Sequence, residues 1–239
     1  MRGMHKGTCT QMYMMQTRFD ELEIDETFLY GRLQLGEIRS LPERRRSLFA
    51  RCLLYYVLEK DWGIGDIALV NGRFGKPHLN GGHGVQFNIS HSGDWVCCAV
   101  SPDVVGVDIQ VVHELDLEIS QRFFMEEEHA FILSGEDPVS RTSKFFDIWS
   151  CKEAYIKMLG YGLNKPLNSF EIRPSMEDGY CVHDELAVED CRLYLQKYEE
   201  VYKLAVCYNT PELVMTVEDH SVVLAFISGK YGGKQTTVL

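Results

Sequence analysis

Asp108 and Gln110 lie two residues apart in the run Val105 to Val112, so a strand there turns both to one face and Val107 and Ile109 to the other. A carboxylate followed two residues on by an amide offers oxygen ligands to a hard cation. Mg²⁺ takes such oxygens, commonly from one or two carboxylates completed by water and phosphate. Trp149, Glu153 and Lys157 recur every four residues and share one stripe of a helix. Beside a phosphate, Glu153 would hold a metal and Lys157 would neutralise charge on a departing oxygen. Ser90 and a protonated His91 suit a phosphate monoester, and Arg46 offers the same anion a further cation. Gly75-Lys76-Pro77 is a rigid turn bearing a cation, set among glycines that let backbone approach a ligand closely.

Each feature also has a plainer explanation. Asp108 and Gln110 suit a solvated face, Glu153 and Lys157 suit a surface pair worth roughly 0.2–0.5 kcal/mol, and His91 suits a turn. The glycines at 72, 75, 81, 82 and 84 follow neither a P-loop nor a dinucleotide fingerprint. Ser90-His91-Ser92-Gly93 does not meet the hydrolase pattern Gly-x-Ser-x-Gly.

Helical spacing of Leu48, Cys52, Tyr55 and Tyr56 after Pro42 predicts an amphipathic helix closed by Gly63 and Gly65. Before it, Met12 to Tyr30 reads as a strand followed by an acidic loop or short helix. Phe87 and Ile89 alternate with Asn88 and Ser90 in a half-buried strand. His91 to Asp94 turns into a strand from Trp95 to Val100, and Pro102-Asp103 into a third from Val105 to Val112, an antiparallel unit. A helix is expected from about Glu118 to Leu133, broken by Gly135 and Pro138, and a longer one from about Ser140 to Leu159. Later strands are expected at Ser169 to Arg173, Arg192 to Tyr198, Tyr202 to Tyr208 and Val222 to Phe226. The expected class is α+β with two similar subdomains in a pseudo-twofold, each a small, mostly antiparallel sheet packed with a long helix. Residues 1–103 would carry the glycine-rich loop and the His91 turn, and 104–239 the metal residues and the Glu153 helix. One continuous α/β sheet is the alternative.

The chain has 239 residues, 24 Lys and Arg against 35 Asp and Glu, and 45% hydrophobic residues, in the range of soluble globular proteins. Its formal charge of −11 argues against non-specific nucleic-acid binding. No apolar run is long enough to cross a bilayer, and the first residues carry no secretory signal pattern. The eight cysteines form no CxxC pair, and buried reduced thiols are the expectation. A cytoplasmic protein follows, as a monomer whose two halves enclose the site, without membrane or nucleic-acid partners.

The order of these features adds information. Gly75-Lys76-Pro77, then Phe87 to Gly93 (FNISHSG), Gly106 to Gln110 (GVDIQ) and Trp149 to Lys157 (WSCKEAYIK) resemble the motif series of the Sfp-type 4′-phosphopantetheinyl transferases. The resemblance runs from Gly75 to about Ile172, with weaker similarity at Arg46-Ser47-Leu48 and at Tyr202 to Cys207. It implies transfer of the phosphopantetheine arm of coenzyme A to a serine of an apo acyl or peptidyl carrier protein, with release of 3′,5′-ADP. It implies Mg²⁺, with Mn²⁺ possible, on Asp108 and Glu153, and Gln110 where many members have a glutamate. Lys157 would contact the pyrophosphate and, with Glu153, serve catalysis. Lys76 and Pro77 would form the coenzyme loop, Ser90 and His91 would lie near its phosphates, and Arg46 would hold the 3′-phosphate. Carrier docking is expected around Phe123, Phe124 and Met125 beside Arg122, residues equally suited to a core. Two other readings stand beside this one: a non-catalytic coenzyme-binding regulatory module weakened at Gln110, and a metal-dependent phosphohydrolase.

Overall fold

The computed structural model describes residues 8–17, 26–33, 35–81, 83–175, 179–185 and 191–231. In chain order come β1 (Thr10–Gln16), α1 (Glu26–Arg32), α2 (Leu41–Lys60), β2 (Leu69–Asn71), β3 (Pro77–Leu79), β4 (Gln86–Ser92) and β5 (Trp95–Ser101). There follow β6 (Val105–Val111), α3 (Glu118–Phe123), α4 (Glu126–Leu133), α5 (Pro138–Leu159), β7 (Glu171–Ser175) and β8 (Gly179–His183). The described chain ends with β9 (Arg192–Tyr198), β10 (Tyr202–Tyr208), β11 (Leu213–Val217) and α6 (His220–Tyr231).

The class is α+β, built on two repeats of one plan. In the first, β1 leads to helix α2, and the last strand, β5, returns antiparallel beside β1 with β4 outside it. In the second, β6 leads to helix α5, and β10 returns antiparallel beside β6 with β9, β8 and β7 beyond. The two-residue period of each strand sorts its side chains between layers. Val96, Cys98 and Val100 of β5 pack with α2, while Trp95, Cys97 and Ala99 face the second sheet. Val107 and Ile109 of β6, with Leu204 and Val206 of β10, complete that inter-sheet core. Gly106, Asp108 and Gln110 are left on the α5 side, the face that the alternation predicts.

The two sheets also meet edge to edge. β4 and β5 form the expected hairpin, but β6 leaves it and becomes the edge strand of the second sheet. Periodicity assigns faces and says nothing about neighbours, which is why three consecutive strands suggested one antiparallel unit. β6 instead runs alongside β4 in the same direction, joined by side chains. Asn88 Oδ1 accepts from the Val107 amide at 2.8 Å, Ser90 Oγ from Ile109 at 3.3 Å, and Ser92 Oγ from Val111 at 3.0 Å. The polar residues of β4 thus satisfy the amides of a sheet edge that would otherwise be bare.

Four further expectations change. The helix expected over 118–133 is two helices, because the buried Glu128 carboxylate takes the Met125 amide at 2.9 Å and starts a new helix there. The longer helix starts at Pro138 instead of Ser140, with Asp137 capping the Ser140 amide at 2.7 Å. Val222 to Phe226 lies in a helix, not a strand. Asp219 caps the Ser221 and Val222 amides, and Val223, Leu224 and Ile227 are buried at helical spacing. Strand β11 and helix α6, grouped by the sequence with residues 104–239, lie on the first layer, where β11 pairs parallel with β1 and α6 packs against α2.

Helix α5 approaches β6 closely only because residue 106 has no side chain. A Cβ there would stand 1.9 Å from the Ala154 carbonyl oxygen and 2.4 Å from the Met158 nitrogen. Gly106→Ala should therefore lower the unfolding free energy in urea by about 1–3 kcal/mol, the usual cost of overpacking a core. An unchanged midpoint would show that α5 can move away freely.

Candidate active site

Asp108 is wholly buried and draws its partners from three elements. Lys157 of α5 donates Nζ to Oδ1 at 2.5 Å, Ser90 of β4 donates its hydroxyl to the same oxygen at 3.0 Å, and Gln110 Nε2 donates to Oδ2 at 3.1 Å. Lys157 Nζ also reaches Ser90 Oγ at 3.0 Å. Burial pulls the Lys157 pKa down, but the Asp108 carboxylate outweighs it and holds the ammonium above its ordinary 10.5.

Glu153 sits one helical turn before Lys157. Burial raises its pKa above the ordinary 4.5, and the Asp108 charge raises it further against the opposing effect of Lys157. Among the described residues it makes no hydrogen bond or ion pair. Two crowded carboxylates, one of them without a partner, fit a divalent cation. Among the described residues no group of three or more His, Cys, Asp or Glu could hold one. Asp108, Glu153 and an amide oxygen from Gln110 would thus bind it only with oxygens from a ligand or water. Gln110 now offers its NH₂ to Asp108, so ligation requires the amide to turn over.

A second cluster lies where α2 begins. His91 Nε2 stands 3.2 Å from Ser47 Oγ, and Nδ1 stands 3.7 Å from Glu43 Oε2. Glu43 also pairs with Arg46. Burial lowers the His91 pKa, Glu43 counters this, and the charges of Lys157 and Arg46 lower it further, which links this cluster to the first.

Lys76 turns inward and donates to the backbone carbonyls of Val105 at 2.9 Å and Met158 at 3.1 Å. It thereby ties the loop before β3 to the end of α5, and burial brings its pKa down to about 8. Pro77 opens β3 opposite Asn71.

Lys152 and Lys165, two further lysines near this end of α5, bring no positive charge to the site. Lys152 is wholly buried against Glu128 at 2.8 Å and the carbonyls of Leu167 and Phe170, and Lys165 pairs with Asp184 at 2.8 Å. Phe124 is core, stacked on Phe145, whereas Phe123 is 54% exposed. The sequence reading gave Ser47 no role of its own and missed Glu43 and the Asn88–Ser92 seam. Polar residues alternating along a β4 expected to be half-buried were the only signal for the last.

Fold and site define a protein of two repeated α+β halves with a cluster of cations and oxygen ligands at their seam. The family model of the 4′-phosphopantetheinyl transferase superfamily matches residues 104–207. A 4′-phosphopantetheinyl transferase of Bacillus subtilis is 34% identical over 180 residues, 74% of this chain and 79% of the relative. The 4′-phosphopantetheinyl transferase Sfp of Bacillus subtilis (strain 168) is 36% identical over 174 residues, covering 71% and 76%. An L-aminoadipate-semialdehyde dehydrogenase-phosphopantetheinyl transferase of Xenopus laevis is 31% identical over 210 residues, covering 80% and 65%. This chain belongs to the 4′-phosphopantetheinyl transferase superfamily. The relatives are named as transferases, which leaves the binding-module reading without support.

A carboxylate whose pKa rises on folding binds its proton more tightly in the folded state, so stability falls as pH climbs above the ordinary 4.5. Without divalent cation, Glu153→Gln should raise the urea midpoint at pH 7, and the gain should shrink as pH falls below 4.5. A lower midpoint at pH 7 would show that ionised Glu153 stabilises the free protein.

Proposed function

We propose that the chain transfers the 4′-phosphopantetheine group of coenzyme A to a serine hydroxyl of an apo carrier protein and releases 3′,5′-ADP. The observation that carries this is the buried Asp108–Lys157–Ser90 unit beside Glu153, a carboxylate without a partner among the described residues. Arg46 and His91 hold the 3′-phosphate, with Ser47 fixing the His91 ring. The loop at Lys76 and Pro77 lies along the coenzyme, Lys76 acting through its hold on the end of α5.

The carrier serine oxygen forms a bond to the β-phosphorus while the bond from that phosphorus to the bridging oxygen breaks. Glu153, or a water that it holds, accepts the serine proton. Lys157 faces the charge that builds on the departing α-phosphate. Asp108, Glu153 and Gln110 would hold Mg²⁺ or Mn²⁺, which supplies charge neutralisation to the pyrophosphate when bound. Exposed Phe123 beside Arg122 offers an apolar contact for the carrier. That suits an acidic enzyme, whose charge of −11 gives no long-range attraction to an acidic partner.

We place the protein in the cytoplasm as a monomer without nucleic-acid or membrane partners. Its eight cysteines are free, as a reducing compartment keeps them, and no helix among the described residues is long and apolar enough to cross a membrane.

The test is the mass of a small panel of apo carriers after incubation with coenzyme A and Mg²⁺. The wild type should add the phosphopantetheine mass, chelation should abolish the addition, and Mg²⁺ should restore it. Folded Glu153→Ala should lose about 100-fold or more in rate. Near-wild-type transfer by that variant would remove Glu153 as the base. Release of phosphate or AMP without an acceptor would favour the phosphohydrolase.

A further inference from the structure

The first turn of α2 carries a carboxylate that the transfer reaction leaves unused. Glu43 pairs with Arg46 through Oε1, and its Oε2 stands 3.7 Å from His91 Nδ1. That separation is too long for a hydrogen bond, and Nδ1 is a buried nitrogen with no hydrogen-bond partner among the described residues. The two groups assigned to the 3′-phosphate therefore already face an anion from the chain itself. A phosphate monoester brought to Arg46 and His91 would meet that carboxylate at close range, and like charges there repel.

The local sequence gives the carboxylate a second place to go. Ser40-Leu41-Pro42-Glu43 has the spacing of a capping box, in which a glutamate at the third helical position reaches back to the amide of the capping residue. Ser40 caps α2, yet it makes no side-chain cap hydrogen bond, and Glu43 turns to Arg46 instead. With 47% of its side chain exposed, Glu43 has room to swing between the two positions.

We propose that Glu43 is a specificity-determining residue. In the free protein its carboxylate stands in for the 3′-phosphate beside Arg46 and His91, and a ligand bearing that phosphate displaces it toward the Ser40 amide. The identity of the ligand rests on the transfer reaction proposed above. A ligand without the 3′-phosphate leaves Glu43 in place, whereas one that bears it must displace the carboxylate, so Glu43 makes the site distinguish the two by less than the contacts of that phosphate would.

Calorimetric binding of adenosine 3′,5′-bisphosphate and of adenosine 5′-monophosphate to the full chain, without carrier, tests this. Glu43→Gln keeps the shape and removes the competing charge. It should tighten the bisphosphate by about two- to fivefold, the size of one partly exposed ion pair, and leave the monophosphate unmoved. Glu43→Asp, shorter by one methylene, should fall between wild type and Glu43→Gln. Weaker bisphosphate binding by Glu43→Gln, no change, or an equal change for both nucleotides would overturn the proposal. The two readings fail separately. A wild type that does not distinguish the nucleotides refutes the 3′-phosphate placement, whereas a wild type that prefers the bisphosphate, with an indifferent Glu43→Gln, refutes only the role of Glu43.

Discussion

A carboxylate taken out of water costs several kcal/mol unless it is paired and hydrogen-bonded, and Asp108 is wholly buried. Its requirements organise the molecule. Ser90 reaches it from the first sheet, Gln110 from its own strand and Lys157 from α5. Gly106, two residues earlier on the same face, is what lets α5 come close enough. The contact that holds the halves together is thus also the contact that places a cation and two carboxylates side by side. Moving any of the three elements would leave a buried charge short of a partner, so site geometry and fold stability are tied to one set of atoms.

The site also shows how little net charge says about local charge. The chain is strongly acidic, yet Arg46, Lys157 and His91 gather along one seam, and the acidic residues near them each have a local task. Lys76 belongs to the same region but does a different job. Its ammonium is spent on two backbone carbonyls, one of them in the last turn of α5, where a cation is favoured by the helix dipole and the unsatisfied carbonyls. Glu153 is the opposite case. It sits near a like charge and, among the described residues, has no hydrogen-bond or ion-pair partner, the kind of local cost that functional sites retain.

Much of the site could be read from the chain because it depends on short-range periodicity. A period of two put Asp108 and Gln110 on one face, and a period of four put Glu153 and Lys157 on one stripe. What could not be read depends on contacts between distant segments. Nothing local to β6 says that its edge meets the side chains of β4 rather than the backbone of β5. Lys152 and Lys157 are both lysines of one helix, and only the position of Glu128, remote in sequence, makes the first structural. Ser47 gains its meaning from His91, 44 residues away. Val222 to Phe226 shows the remaining difficulty, since a short β-branched apolar run suits a buried strand and a buried helix equally well until the Asp219 cap is recognised.

The placement of β11 and α6 on the first layer has a consequence for biosynthesis. The four-stranded sheet pairs β1, near the start of the chain, with a strand more than two hundred residues later. While the polypeptide is still emerging from the ribosome, β1 has one flank open and α2 lacks its covering helix. The first half therefore waits, partly assembled, until residues 213–231 have been made, and the second half, whose strands and helix lie between residues 105 and 208, is free to form before it.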